Sequence, residues 1–379
     1  MSSVSIYGVG TSHFGLRPDT SLEQLAWSAI SEAVADARDR RIDAAIVGTV
    51  LAPNGTAQRV LRAAGLAGIP THTVENACAS GAIAFEQAVR AVESGQYGRV
   101  LALGIEQMSA QFSGAIHPEL ADTDGATGLA LPGHYAMAAS RYLAEGLVTE
   151  HQLAAVAVKN RRNALHNHRA QYAGDYTVEQ VLASRMIADP FTLLQCCPVS
   201  DGAAAAIVGT SDGTGPRVQV RGVARGSGGL WDHRSIDVWG YQLIRTTATA
   251  AWSAACLANV EDIDVLEVHD AFTISEIATY EALGLADKGD GGAAAEHGIT
   301  AIGGKHPVNP SGGLLSRGHP MGATGMAQLA EIVWQLRGEA GHRQVPGARI
   351  GVVETMGGGT SGIDGNACVV TVLEGSNSQ

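Results

Sequence analysis

What the chain lacks narrows its possibilities first. Its five cysteines stand at scattered positions among 379 residues, with no CxxC pair, so neither a disulfide framework nor a structural zinc site is expected. A basic surplus is also missing: 25 Lys and Arg face 37 Asp and Glu, a formal net charge of −12. Nucleic acid is then not a main partner, because binding it requires cations that displace counterions. An anionic ligand held by a local basic patch is still allowed. No apolar run approaches the ~20 residues of a membrane span. No basic-then-apolar leader opens the chain and no Ser-Lys-Leu closes it. The expectation is a protein of the reducing cytoplasm with no membrane partner.

What is present describes a well-buried globular chain, with 45% hydrophobic and 16% charged residues. One core usually stops growing at roughly 250–300 residues, so two subdomains are expected. After a first strand from Val4, Ser21 can cap a helix running to about Arg40, with Leu25, Ala26, Ala29, Ile30 and Ala33 on one face. Ile42–Val50 and Val100–Glu106 read as buried strands, with helices over 56–67 and from Cys78 to about Ser94. Helices alternating with almost wholly apolar strands predict an α/β fold whose sheets are covered on both faces. From about 108 to 190 strand signals thin out, and this region reads as a loop excursion carrying helices near 134–145 and 149–168. Lys159, Arg161, Arg162 and Arg169 within it could meet phosphates, though a solvated helix face is the plainer reading. The Gly-rich stretch 225–232 could contact a pantetheine or a partner, with a solvated turn again the plainer reading. A Gly/Ser/Asp-rich stretch at 209–215 marks a boundary between residues 1–215 and 216–379.

The second half repeats the order of the first: strand, loop with a reactive residue, helix, strand. Cys78 lies in Asn76-Ala77-Cys78-Ala79-Ser80-Gly81, before one helix; His319 lies in Gly318-His319-Pro320 with Gly322-Ala323-Thr324-Gly325, before its counterpart. A thiol near a helix N-terminus is exposed to orphan N–H groups that favour thiolate, although a lone cysteine can equally be an inert core residue. A histidine in a glycine-rich turn can take a thiol proton and return it to a leaving group. His269, in His269-Asp270-Ala271-Phe272, ends a strand, where α/β folds present functional groups. Each histidine alone can be a turn residue bonding the backbone; two of them beside a candidate nucleophile argue for chemistry.

These three segments resemble the thiolases, over nearly the whole chain, and the histidine form of the second motif is similar to the sterol-carrier-protein-type and archaeal-type branch. The resemblance implies a duplicated α/β unit in five layers, αβαβα, with an inserted loop region in the first half. It implies that Cys78 carries the acyl group as a thioester and that His319 is the general base. His269 and His319 would polarise a thioester oxygen. The Cys78 N–H and Gly358 would form a second oxyanion site, with Phe272 and Gly318 beside the substrate. No metal and no tightly bound cofactor are required; a coenzyme A thioester is the substrate, and a homodimer is the minimum assembly.

One departure stands out. The family commonly places a second cysteine before a C-terminal glycine run, where this chain has Met356 before Gly357, and the sterol-carrier-type branch can carry one inside the His-Asp motif, where this chain has Ala271. A thioether cannot exchange a proton. Cys196, Cys197, Cys256 and Cys368 are expected to pack in the core, leaving the histidines to handle the α-carbon proton. The leading reading is an acyl-CoA C-acyltransferase that forms or cleaves a β-ketoacyl-CoA. Its alternatives are a decarboxylative β-ketoacyl-synthase-like condensation and a retro-aldolase acting with a small OB-fold, zinc-ribbon acyl-CoA-binding protein. A non-catalytic lipid-binding subunit comes last.

Overall fold

A computed structural model describes residues 3–116, 120–211, 218–232 and 234–375. Chain order in the first half is β1 (Val4–Thr11), α1 (Leu22–Ala37), β2 (Ala44–Gly48), α2 (Thr56–Ala63), β3 (Thr71–Val74), α3 (Ser80–Glu93) and β4 (Arg99–Gln107). The excursion then carries α4 (Thr123–Ala126), α5 (Leu131–Ala144), α6 (Glu150–Asn163), α7 (Val178–Leu182) and a ribbon of β5 (Met186–Ala188) with β6 (Phe191–Thr192), before β7 (Asp201–Thr210). The second half runs β8 (Val218–Gly226), α8 (Tyr241–Ala255), β9 (Val265–Glu267), α9 (Thr273–Leu283), α10 (Gly291–Glu296), α11 (Gly313–Arg317), α12 (Thr324–Arg337), β10 (Ile350–Gly357) and β11 (Ala367–Gly375). Part of the expected boundary at 209–215 falls on 212–217, outside the described residues.

Local chemistry accounts for the elements. Ser21 caps α1 by accepting from Gln24 N at 3.2 Å while the Gln24 side chain accepts from Ser21 N at 2.8 Å, a reciprocal box that satisfies two orphan donors. The helix stops at Arg38, in the left-handed region at φ 52°, three residues short of the expected end. β4 is buried along almost its whole length because it lies between β2, parallel, and β7, antiparallel. Such a strand has no solvent face, so it reads as an unbroken apolar run.

The duplication is visible in the pairing. Strand order is β3-β2-β4-β7-β1-β8-β11-β10-β9, which places β8, β9, β10 and β11 in mirror order to β1, β2, β4 and β7. The halves meet where β1 pairs with β8 through Ser5↔Gln219 and Ile6↔Val218, so the two half-sheets form one hydrogen-bonded sheet. α1 and α2 cover the outer face of the first half, α8 and α9 that of the second, and α3 with α12 are packed between them. This is the expected five-layer order. Each fully buried Ile, Val or Phe in the central layer, such as Ile83, Phe85 and Val333, contributes roughly 1.5–3 kcal/mol over an exposed position. That layer holds the Cys78 and His319 segments together, since they lead into α3 and α12.

Three of the four basic residues of the excursion have a different fate from the solvated face expected. Lys159 is buried, 2.6 Å from Glu276 and donating to Val308 O at 2.8 Å. Arg161 is buried against the Tyr172 ring, Arg162 pairs with Asp175, and Arg169 makes a two-pronged pair with Glu32. α6 packs on α9 and α10, so Lys159 and Arg161 are committed to the fold, while Arg162 keeps the exposed position expected of it. In the Gly-rich stretch, Gly228 N and Trp231 N donate to Gly365 O and Gly362 O, with Leu230 fully out in solvent. No helix among the described residues is long and apolar enough to cross a membrane.

Candidate active site

The reactive segments converge. Sγ of Cys78 and one ring nitrogen each of His269 and His319 lie within 4.8 Å of one another, all three side chains buried. The two imidazoles meet edge to face, centroids 5.1 Å apart. They line a cavity of about 80 Å³ whose walls include Met108, Tyr135, Trp239, Phe272, Met321 and Met356. Sulfur and two imidazoles would also suit a soft divalent ion.

Close approach of the two halves depends on small residues. A Cβ on Gly81 of α3 or on Gly104 of β4 would come within 2.5 Å of Gly322 O, so only glycine lets the turn after His319 lie against both elements. The turn carrying Cys78 is held in a conformation of its own. Ala77 sits at φ 48°, in the left-handed region, with its N–H on Glu75 at 2.7 Å. Ser80 Oγ accepts from Asn76 N at 2.8 Å and donates to Ala77 O at 2.7 Å.

Buried carboxylates in or just beyond the strands fasten the remaining loops. Glu354 accepts from His269 N at 2.9 Å. Asp270 accepts from Leu314 N and Leu315 N at 2.7 and 3.3 Å, tying the His269 loop to α11. Glu267 takes Ser311 N, Ser311 Oγ and Arg317 Nη1, all within 3.0 Å, so the strand before His269 grips the turn before His319. Glu106 accepts from Val50 N, Leu51 N and Gly322 N. Burial pushes Glu106 and Glu354 up to about 7, against the pull of these N–H donors. None of these roles was read from the sequence. The signal was there: each glutamate ends or interrupts an otherwise apolar run, and Glu106 and Glu354 hold matching places in the duplication.

The histidines are neutral in this setting. Burial lowers His269 to about 3, with the Arg317 charge adding to the effect; it also lowers His319 well below the usual range, with His269 and Arg317 adding. Thr324 Oγ1 donates to Pro320 O at 3.0 Å, so the 2.7 Å contact with His319 Nδ1 is satisfied by an Nδ1–H donor. That assignment leaves the lone pair on Nε2. His269 Nδ1 is buried without a hydrogen-bond partner.

Cys78 departs from the sequence expectation. It lies two residues before α3, yet its thiol is pushed up to about 12 by burial first, reinforced by Glu106 and Glu75, while its own backbone N–H pulls the other way. Desolvation outweighs the helix end. Two further expectations need correction. Cys196 packs in the core as expected but also lines the cavity that holds Cys78, as does the half-buried Cys197; Cys368 is a buried core thiol against Glu354, and Cys256 is exposed. Gly318, at φ 115°, lies behind His319, where a Cβ would meet Ser200 Oγ at 2.5 Å, and is not part of the cavity wall. Gly358 does line it, and a Cβ there would strike the Trp239 ring at 1.8 Å. Phe272 lines it too, stacked between Tyr135 and Phe191.

The N-terminal domain of thiolases matches residues 8–212, and the C-terminal domain-like family of thiolases matches residues 223–367. The chain belongs to the thiolase family. Among its relatives, an acetyl-CoA acetyltransferase of Methanothermobacter thermautotrophicus is 43% identical over 94% of this chain and 97% of its own. Human sterol carrier protein 2 is 35% identical over 98% of this chain and 72% of its own. Among solved structures, the Ltp2-ChsH2(DUF35) aldolase superposes with a TM-score of 0.85 at 26% identity, covering 100% of this chain and 99% of that one.

Two expectations follow for this thiolase. Arg317→Met strands the Glu267 carboxylate, which is fully buried, and is expected to cost about 3–5 kcal/mol, read as a lowered urea midpoint. Alkylation of Cys78 by iodoacetamide, followed on its own peptide, is expected to climb about tenfold per pH unit from 7 to 10. The thiolate fraction grows by that factor below a pKa near 12. A plateau near pH 9 would show an ordinary thiol instead.

Proposed function

We propose that the chain is an acyl-CoA C-acyltransferase that forms or cleaves a β-ketoacyl-CoA through a thioester on Cys78. The observation that carries this reading is the convergence of Cys78 Sγ with two neutral imidazoles in an apolar cavity. A thiol near 12 and a histidine held well below 6.5 rest as an uncharged pair. His319 Nε2 then takes the proton as Cys78 attacks the carbonyl carbon, so charge arises only when the substrate is in place. The unpartnered Nδ1 of His269 is hydrogen-bonding capacity that a thioester oxygen would use. The Cys78 and Gly358 backbones, both at the cavity wall, are assigned to the second oxyanion.

The relatives named as an acetyl-CoA acetyltransferase and as an aldolase frame the choice of reaction. The name of the latter joins two components, which supports a small OB-fold partner for this chain as well. We take the assembly to be at least a homodimer. The five free cysteines suit a reducing compartment such as the cytoplasm. Intact-mass detection of an acetyl adduct on Cys78 after mixing with acetyl-CoA tests the reading, and absence of any adduct at any pH from 6 to 10 would favour a non-catalytic subunit. Release of labelled CO2 from malonyl-CoA would replace it with a decarboxylative condensation.

A further inference from the structure

One step of the proposed reaction lacks an obvious group. An α-carbon proton must be given or taken, and neither Met356 nor Ala271, at the positions where a second cysteine would stand, can exchange one. The fold supplies a thiol from a different segment. Cys196 pairs with Phe272 across an isolated antiparallel bridge, and Cys197 N donates to Ala271 O at 2.9 Å. In that register Cys197 stands directly opposite Ala271. Directly opposed residues project from the same face of an antiparallel pair, with Cβ atoms about 4.5–5.5 Å apart. Both residues line the cavity that holds Cys78, His269 and His319.

Resting on the acyltransferase reading, we propose that Cys197 is a catalytic residue that exchanges the α-carbon proton, its side chain replacing across the bridge the thiol that position 271 does not carry. The other cysteines are spent. Cys196 Sγ faces Thr192 O at 3.5 Å, Cys368 Sγ faces Glu354, and Cys256 is exposed. Cys197 is half-buried, with the thiol rather than the thiolate favoured by burial and by Cys196, Cys78 and Asp270 nearby. A protonated thiol is the form needed to quench a carbanion.

The proton balance closes. In cleavage, His319 takes the Cys78 proton and the sulfur adds to the keto carbon. The bond from that carbon to the α-carbon then breaks, leaving the electron pair as a thioester enolate. Cys197 gives its S–H proton to the α-carbon, releasing that fragment as its own CoA thioester while the shortened acyl group stays on Cys78. Incoming coenzyme A reprotonates the Cys197 thiolate with its own S–H, and the resulting CoA thiolate lifts the acyl group from Cys78. Cys78 recovers its proton from His319. Condensation is the reverse sequence.

The test uses the full chain and acetyl-CoA, with two readouts: the acetyl adduct on Cys78 by intact mass, and deuterium wash-in from D2O to the acetyl methyl. In Cys197→Ala, adduct formation is expected to stay within about threefold of the unaltered chain while wash-in falls about 100-fold or more. Adding Ala271→Cys to that variant is expected to recover at least about a tenth of the wash-in, since the thiol returns to the facing position. Cys256→Ala serves as the unaffected control. Wash-in retained in Cys197→Ala would overturn the proposal and leave the acyltransferase reading intact. Loss of adduct and wash-in together, without recovery by Ala271→Cys, would reduce Cys197 to a packing residue. No adduct on the unaltered chain would remove the acyltransferase reading itself, and this one with it.

Discussion

Cys78→Ala is expected to lower thiolysis of acetoacetyl-CoA by about four orders of magnitude or more in kcat, with no acetyl adduct left. The size follows from the proposed role. When the group that bears the covalent intermediate is removed, what survives is binding and the oxyanion donors, and no other side chain can complete the two-step route. Unfolding would not explain such a loss. Cys78 is buried in a small cluster with Met108 and Met321, and truncating one sulfur there costs about 1 kcal/mol, against a typical stability of about 5–15 kcal/mol. Matching thermal melts of the variant and the unaltered chain would verify that. The same variant separates the main reading from its rival. The Ltp2-ChsH2(DUF35) aldolase is structurally similar to this chain, and a retro-aldol cleavage relying on tyrosine acid–base groups has no use for this thiol. Unchanged cleavage of a β-hydroxyacyl-CoA by Cys78→Ala would transfer the assignment to that reaction, for which Tyr135, in the cavity wall, is the tyrosine to examine.

Much of the architecture was legible because it is written in short periods. β4, β7 and β10 are apolar runs with no solvent face, and α1 has a capping box and a one-sided stripe. The duplication showed in the order of motifs, which also brought Cys78, His269 and His319 to one place. α9 was not legible: all of its residues are buried, Glu276 included, so it has no polar face to set a helical period. The fates of Lys159 and Arg161 were hidden for a related reason. A cation looks solvent-bound in a sequence until a distant carboxylate or ring, here Glu276 or Tyr172, is known to face it. Cys197 was set aside because its relation to Ala271 is a cross-strand register between segments 74 residues apart, which no local motif encodes. Cys78 itself was read as activated by its helix end. The local half of that argument was sound, but the desolvation that outweighs it comes from residues supplied by both halves of the fold.

His319→Gln is expected to slow acylation of Cys78 by about 10²–10⁴-fold, the usual range for losing a positioned general base. Glutamine keeps a hydrogen-bonding group near Thr324 but has no lone pair that can accept a proton at neutral pH. The pH dependence of acylation in the unaltered chain then carries the sharper information. Protonation of His319 removes the base, so the rate must fall as pH falls through the pKa of that residue. Burial first, with the neighbouring His269 and the Arg317 charge adding to it, holds that pKa well below 6.5. Acylation is therefore expected to show no His319 limb near 6.5, and to persist on the acid side where an exposed imidazole would already be charged. Thr324→Val probes the tautomer separately. It leaves the Nδ1–H buried without an acceptor, which costs about 1–3 kcal/mol and frees the ring to place its proton on Nε2 instead. In that form the nitrogen assigned to take the Cys78 proton is already occupied, so acylation should slow although His319 is still present. If Thr324→Val left the rate unchanged while His319→Gln abolished it, the histidine would be confirmed as the base and the orienting role of Thr324 would be lost.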